Sequence, residues 1–209
     1  MPLLIFAFVV IFGVQHFTLP TYLPERAKTG EVVKNAKGDT IFKQIPDFRF
    51  TDQSGKTVSQ ESLAANGMYV VNFFYTSCPV NCRQIASQLT RVQEAFQNNP
   101  TVKIASITVK PEQDSVAALQ QYATEYHADP AQWHFLRGPK AEIYQLASIG
   151  FDLPAPRGKD VQDLIQTNRV LLVDKAHRVR GIYNGTKSTE IDRLIMEINV
   201  LLDEYSKSK

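Results

Sequence analysis

Cysteine is nearly absent: 209 residues hold two, Cys78 and Cys82. A framework of several disulfides is thereby excluded, and no zinc-ligand spacing occurs. Charge of one sign is not in excess either. Lys and Arg number 23 against 21 Asp and Glu, a net +2, which is too weak to argue for nucleic acid, and no basic patch is interleaved with aromatics. There is no glycine-rich phosphate loop, no internal repeat and no low-complexity tract. What remains is an ordinary globular composition, 44% hydrophobic and 21% charged. Such a chain can bury a proper core, so the two cysteines are not needed as staples.

Long apolar runs are scarce, with one exception at the start. Residues 3–14 form an unbroken apolar run of twelve. As a helix it spans about 18 Å against a hydrocarbon core of about 30 Å. Extension to Leu23 gives enough length, with Gln15, His16 and Pro20 at the interface. No basic residue precedes the run and no small-x-small cleavage pattern follows it. Residues 1–23 are therefore read as an uncleaved membrane anchor, ahead of a cleaved signal peptide or a buried core helix. An anchor places the body on the extracytoplasmic, periplasmic side, where disulfides persist. Arg26 and Lys28 after the run pull the other way by the positive-inside tendency, a conflict that a basic start upstream would resolve. Residues 24–43, polar and Pro-rich at first, are expected to be a linker, and 44–209 the folded domain.

The two cysteines lie in Tyr75-Thr76-Ser77-Cys78-Pro79-Val80-Asn81-Cys82, directly after the β-branched and aromatic run Met68–Phe74. Downstream, Cys82, Ile85, Leu89, Val92 and Phe96 are spaced 3, 4, 3, 4, one buried stripe of a helix. Pro79 suits a first helical position, where its missing N–H costs nothing. Cys78 is thus expected at the mouth of a strand-to-helix turn and Cys82 one turn down, facing inward. The positive helix end favours a thiolate at Cys78. Residues at i and i+4 have Cα atoms roughly 6 Å apart, inside the disulfide range. The pair can close a disulfide, or converge two soft sulfurs on one metal ion. Cys78 is expected to be the exposed, attacking sulfur and Cys82 the sheltered, resolving one; the bland alternative is a structural disulfide or two inert core thiols.

Elsewhere, residues 46–52 alternate like a strand, 53–56 turn, and Thr57-Val58 opens a return strand. Residues 102–109 read as a second central strand. Residues 114–127 read as a helix capped by Asp114, 133–136 as a short strand and 140–149 as a helix. Residues 151–162 are an irregular loop. Strands at 170–174 and 180–183 surround a turn, and 190–205 is the last helix, with Ile191, Leu194, Ile195, Ile198, Leu201 and Leu202 inward. Strand and helix alternate, then a hairpin and helix close the chain. This predicts an α/β fold: a thioredoxin-like central sheet flanked by helices, with an N-terminal β-hairpin extension and the apolar anchor. The histidines have plain readings. His127 ends a helix, His134 and His177 are read as surface residues, and His16 belongs with the interface.

Phe73-Phe74-Tyr75-Thr76-Ser77-Cys78-Pro79-Val80-Asn81-Cys82 resembles the Cys-Pro-x-x-Cys motif of the Sco/SenC family. Val170-Leu171-Leu172-Val173-Asp174 with Arg180-Gly181-Ile182-Tyr183-Asn184-Gly185-Thr186 resembles that family's closing hairpin. Pro46-Asp47-Phe48 and the Trp133-to-Gly138 stretch fit it too, so the likeness covers roughly residues 40–205. The resemblance implies a membrane-tethered thioredoxin fold on the extracytoplasmic side. It also implies a role in assembling the copper centre of cytochrome c oxidase, by carrying copper or by reducing cysteines of the copper-bearing subunit or another extracytoplasmic thiol protein. The family binds copper through both cysteines and one histidine. Here that histidine's place falls at Gln166, and no histidine lies between His134 and His177. Arg83 stands where many members carry a second proline.

Copper chemistry decides which activity suffers. Cu(I) is soft and can be held by the thiolates of Cys78 and Cys82 alone, whereas Cu(II) prefers nitrogen donors. Thiol–disulfide exchange needs only two sulfurs and access, and Arg83 favours a thiolate nearby. The reading therefore tilts toward thiol–disulfide redox work, with Cu(I) carriage as the alternative. Peroxide reduction is disfavoured, because its Pro-x-x-x-Thr-x-x-Cys pattern asks for proline at Val71 and threonine at Tyr75. A module that merely docks on a partner is the remaining reading.

Overall fold

The computed structural model describes residues 18–65, 67–78, 80–154 and 168–207. The apolar run 3–14, His16, Pro79, Gln166 and most of the 151–162 loop lie outside them. Among the described residues no helix is long and apolar enough to cross a membrane.

The run Met68–Phe74 is strand β3 once the short hairpin before it is counted, and all seven of its residues are buried. Such continuous burial is what a strand covered on both faces requires. It pairs in parallel with β4, Val102–Thr108, in register from Met68↔Val102 to Phe74↔Thr108. On its other side it runs antiparallel to β6, Arg169–Val173, which is antiparallel in turn to β7, Val179–Asn184. β5, Trp133–Leu136, pairs in parallel with β4. The order β5-β4-β3-β6-β7 is a mixed sheet. The ends of β3 and β4 and the start of β6 meet at one end of it; the β6–β7 turn lies at the other, since Tyr69 faces Val173.

Ahead of the sheet, β1 (Arg49–Thr51) and β2 (Thr57–Ser59) form the expected hairpin, shorter than the alternation suggested. The Asp52 carboxylate accepts from the N–H groups of Ser54 and Lys56 and shapes the turn, where Gly55 takes a φ of +76°. Backbone hydrogen bonds exchanged by Thr51 and Arg137 fasten this hairpin beside β5. Helix α1, Gln60–Ala64, starts at a Ser59–Ser62 capping box. The stretch expected as a linker, 24–43, is not free: it doubles back through bridges Pro24↔Phe42, Arg26↔Val32 and Lys34↔Thr40. It has few apolar residues, so its order comes from backbone pairing rather than a side-chain stripe.

Helix α2, Asn81–Ala95, buries Cys82, Ile85, Leu89 and Val92 as the spacing demanded. It packs beside α5, Ser188–Lys207, which buries Ile191, Leu194, Ile198 and Leu201, while Ile195 and Leu202 are only partly covered. Gly185 lies where α2 meets the sheet: a Cβ there would sit 2.6 Å from Val170 Cγ2 and 3.0 Å from Ile85 Cγ1. Helix α3 is Val116–Glu125 and buries Leu119, Tyr122 and Ala123. Its cap is Ser115, not Asp114: the Ser115 hydroxyl accepts from the Ala118 N–H, whereas Asp114 is turned inward and buried. Helix α4, Lys140–Gln145, runs on into a wider turn, Leu146–Gly150, closed by Phe151 N–H to the Leu146 carbonyl.

Candidate functional site

β3 ends at Phe74, and the Cys78 N–H donates to the Tyr75 carbonyl at 3.1 Å, folding residues 75–78 into a turn. α2 then begins at Asn81, two residues beyond Pro79, so Cys82 occupies its first turn. Cys78 and Cys82 are joined in a disulfide with Cα atoms 5.8 Å apart, as the i, i+4 spacing anticipated. No side chain of Val80 caps the helix and no acidic residue stands in its first turn. The acceptor found there is sulfur: the Cys82 N–H donates to Cys78 Sγ at 3.4 Å. The unsatisfied N–H groups of a helix start favour an acceptor or anion, so this end is suited to hold Cys78 as a thiolate after reduction.

One expectation is overturned. Cys78 is not open to solvent; it is 4% exposed, against 1% for Cys82. The turn folds Cys78 inward so that its sulfur meets both the sulfur and the N–H of Cys82, and that geometry removes it from the surface. Among the described residues that flank it in sequence, Ser77 and Val80 are exposed, Val80 at 64%.

Behind the turn stands a group the sequence reading assigned elsewhere. Asp114, 2% exposed, accepts from the Thr76 N–H at 3.2 Å and the Thr76 hydroxyl at 2.5 Å, and also from the Thr108 hydroxyl. A buried carboxylate is costly unless hydrogen-bonded, and these donors satisfy both of its oxygens. Lys110 Nζ lies 3.9 Å from the centroid of the Tyr75 ring, a cation–π contact to the first residue of the turn. On the α2 side, Asn81 Nδ2 donates to Asn168 Oδ1 at 2.9 Å, and Gln84 Nε2 donates to the Thr186 carbonyl at 2.8 Å, tying the helix start to β6 and the end of β7. Arg83 is exposed in the first turn. A hint of Asp114's role existed in the tandem Asp114-Ser115: either can cap a helix, which frees the other.

None of the described histidines joins the cysteines. His127 follows α3, exposed, at a φ of +50°. His134, read as a surface residue, is instead largely covered on β5, its Nδ1 3.4 Å from the Asp52 carboxylate. Burial lowers its pKa below the ordinary histidine value, and Asp52 raises it back only in part. His177 occupies the β6–β7 turn at the far end of the sheet, with a φ of +59°. Among the described residues no group of three His, Cys, Asp or Glu side chains could hold a metal ion. Among the described residues the soft donors brought together are the two sulfurs. Bonded to each other they offer no thiolate; reduced, they are two thiol donors at one point of the fold.

The family model described as SCO1/SenC matches residues 37–203. A curated relative, the SCO1 protein homolog of Bacillus subtilis, is 30% identical over 164 residues, covering 77% of this chain and 83% of its own. Among solved structures the chain is similar to BsSco, a member of the Sco family of cytochrome c oxidase assembly proteins in which a disulfide switch has been identified. That likeness has a TM-score of 0.63 at 27% identity, covering 75% of this chain and 91% of that one. Copper-bound ScoI of Bradyrhizobium japonicum shares the fold, with a TM-score of 0.60 at 23% identity over 76% of this chain and 99% of that one.

Proposed function

Because the chain belongs to the SCO1/SenC family, we propose that it is a membrane-tethered thiol–disulfide redox protein that assists assembly of the copper centre of cytochrome c oxidase. The observation that carries this reading is the Cys78–Cys82 disulfide, set at a helix start that donates an N–H to Cys78 Sγ. In the reduced chain the Cys78 thiolate attacks a disulfide of the oxidase's copper-bearing subunit. One partner sulfur leaves as a thiol and a mixed disulfide forms. Cys82, as thiolate, then attacks Cys78 Sγ; the second partner thiol is released and the internal disulfide closes. Two electrons pass to the partner, and an upstream dithiol must return them. Cys78 takes the attacking role because its sulfur accepts the Cys82 N–H at the helix start, which favours its thiolate, and Cys82 the resolving one. Within residues 1–23 the apolar run ahead of Leu19 supplies the tether and holds the domain on the extracytoplasmic side, since Leu19 and Pro20 are already fastened to the domain by Arg180.

Trapping tests this directly. A Cys82→Ala chain cannot resolve the mixed disulfide, so a partner carrying a disulfide should accumulate on Cys78 and be released by reductant. If none accumulates while Cys78 stays reactive to alkylation, the redox reading fails. The convergence of two reducible sulfurs supports a second reading, Cu(I) carriage. Anaerobic titration of the reduced chain should show one Cu(I) held against a weak chelator and lost in Cys78→Ala. Cu(II) should bind weakly, and Gln166→His should tighten it by supplying the nitrogen donor; no gain would mean that position 166 does not face the sulfurs.

A further inference from the structure

Asp114 is a buried carboxylate that no secondary-structure element requires, since Ser115 already caps α3. Two of the three hydrogen bonds it accepts come from one residue, Thr76, whose N–H and hydroxyl both point at it. Thr76 lies inside the turn that the Cys78 N–H closes on the Tyr75 carbonyl, two positions before the covered sulfur. The third comes from Thr108 at the end of β4, whose hydroxyl oxygen also accepts from the Lys110 N–H at 3.1 Å. The cysteine turn is thus anchored to the neighbouring strand through one side chain. Following hydrogen bonds and the intervening peptide, the carboxylate is no more than about 9 Å from the Cys78 nitrogen.

We propose that Asp114 is a positioning residue of the cysteine turn: by gripping Thr76 it keeps Cys78 beneath the surface, and release of that grip is what opens the sulfur to a reacting thiol. The proposal deepens the redox reading and rests on it for its biological use, but its physical content is a local opening equilibrium that can be measured without a partner. A covered disulfide reacts only from the fraction of time its turn is open. Loss of a hydrogen bond to a charged acceptor shifts such an equilibrium on the order of tenfold. Asparagine at 114 would turn an N–H₂ toward groups that are themselves donors, so it breaks the grip with little change of volume.

The probe is dithiothreitol, with the oxidised full chain in mild detergent. One reagent thiolate attacks a protein sulfur and the Cys78–Cys82 bond breaks. The second reagent thiol then displaces that sulfur, leaving the cyclic reagent disulfide and two protein thiols. Asp114→Asn and Thr76→Val should each be reduced on the order of tenfold faster than the parent. Thr108→Val removes a donor from the strand side but leaves Thr76 gripped, and should change the rate less than about twofold. Urea unfolding of the same variants separates this role from plain stability. The proposal is overturned if Thr76→Val, a change in a loop, reacts no faster than the parent, or if the three rates simply follow the three unfolding midpoints. A poorly folded Asp114→Asn chain leaves the decision with Thr76→Val. Failure to trap a partner on Cys82→Ala would remove the redox reading and leave these rate ratios standing.

Discussion

His134 has a carboxylate 3.4 Å away, yet its ring is held below the ordinary histidine pKa, because burial outweighs Asp52. The consequence is a pH dependence of defined sign. The folded chain prefers the neutral ring, while the unfolded chain takes up a proton near pH 6.5. Below that value the unfolded state binds more protons, so stability should fall as pH drops from about 6.5 toward the depressed folded pKa, and be level above it. Urea midpoints at pH 7.5, 6.5 and 5.5 should show the decline, and His134→Gln should flatten it; equal slopes in both chains would mean that His134 is not buried as described. The sequence placed this residue on a short strand beside Trp133 but could not show its cover. Asp52 is 82 positions away and is brought there by the hydrogen bonds that Thr51 exchanges with Arg137 and that the Gln53 amide makes to the Trp133 carbonyl and the Phe135 N–H. The cysteines were legible in part: their spacing anticipated the 5.8 Å approach, but Cys78 stands in the turn ahead of α2 rather than in the helix, and its burial depends on that turn.

Helix α3 separates what periodicity tells from what it cannot. Its inward stripe of Leu119, Tyr122 and Ala123 follows from spacing, but its start does not, because Asp114 and Ser115 are both good caps. The choice is made by distant partners: Thr76, 38 positions back, and Thr108 draw Asp114 inward, and Ser115 is left to cap. Ser115→Ala should therefore cost about 1 kcal/mol in urea unfolding while leaving the rate of disulfide reduction unaltered. A cost near zero would return the capping role to Asp114. The central strand was readable to the residue, since Met68–Phe74 is apolar enough to be covered on both faces. The pairing of residues 24–43 was not, because isolated bridges leave no alternation in a polar sequence.

At the scale of the molecule, the two ends of the sheet are held by different means. At the end away from the cysteines, the Arg180 guanidinium is nearly covered. It donates to Asp174 at 3.3 Å, to Glu204 at 3.0 Å and to the carbonyls of Leu19 and Pro20. Arg180→Ala would free the entering chain while Asp174 keeps Arg178 and the N–H groups of Ala176 and Arg178, so it should cost about 1.5–3 kcal/mol and expose residues near 19–43 to protease. At the cysteine end the closed loop is short, and the entropy it removes from the unfolded chain is worth only about 2 kcal/mol. Reduction should then lower the melting temperature by about 4–8 °C, measured by circular dichroism with and without reductant. A redox pair in working use must not carry the fold, because each cycle would otherwise unfold its own scaffold. A much larger drop on reduction would show that the disulfide is a structural staple, and would turn the reading of Cys78 and Cys82 from exchange toward architecture.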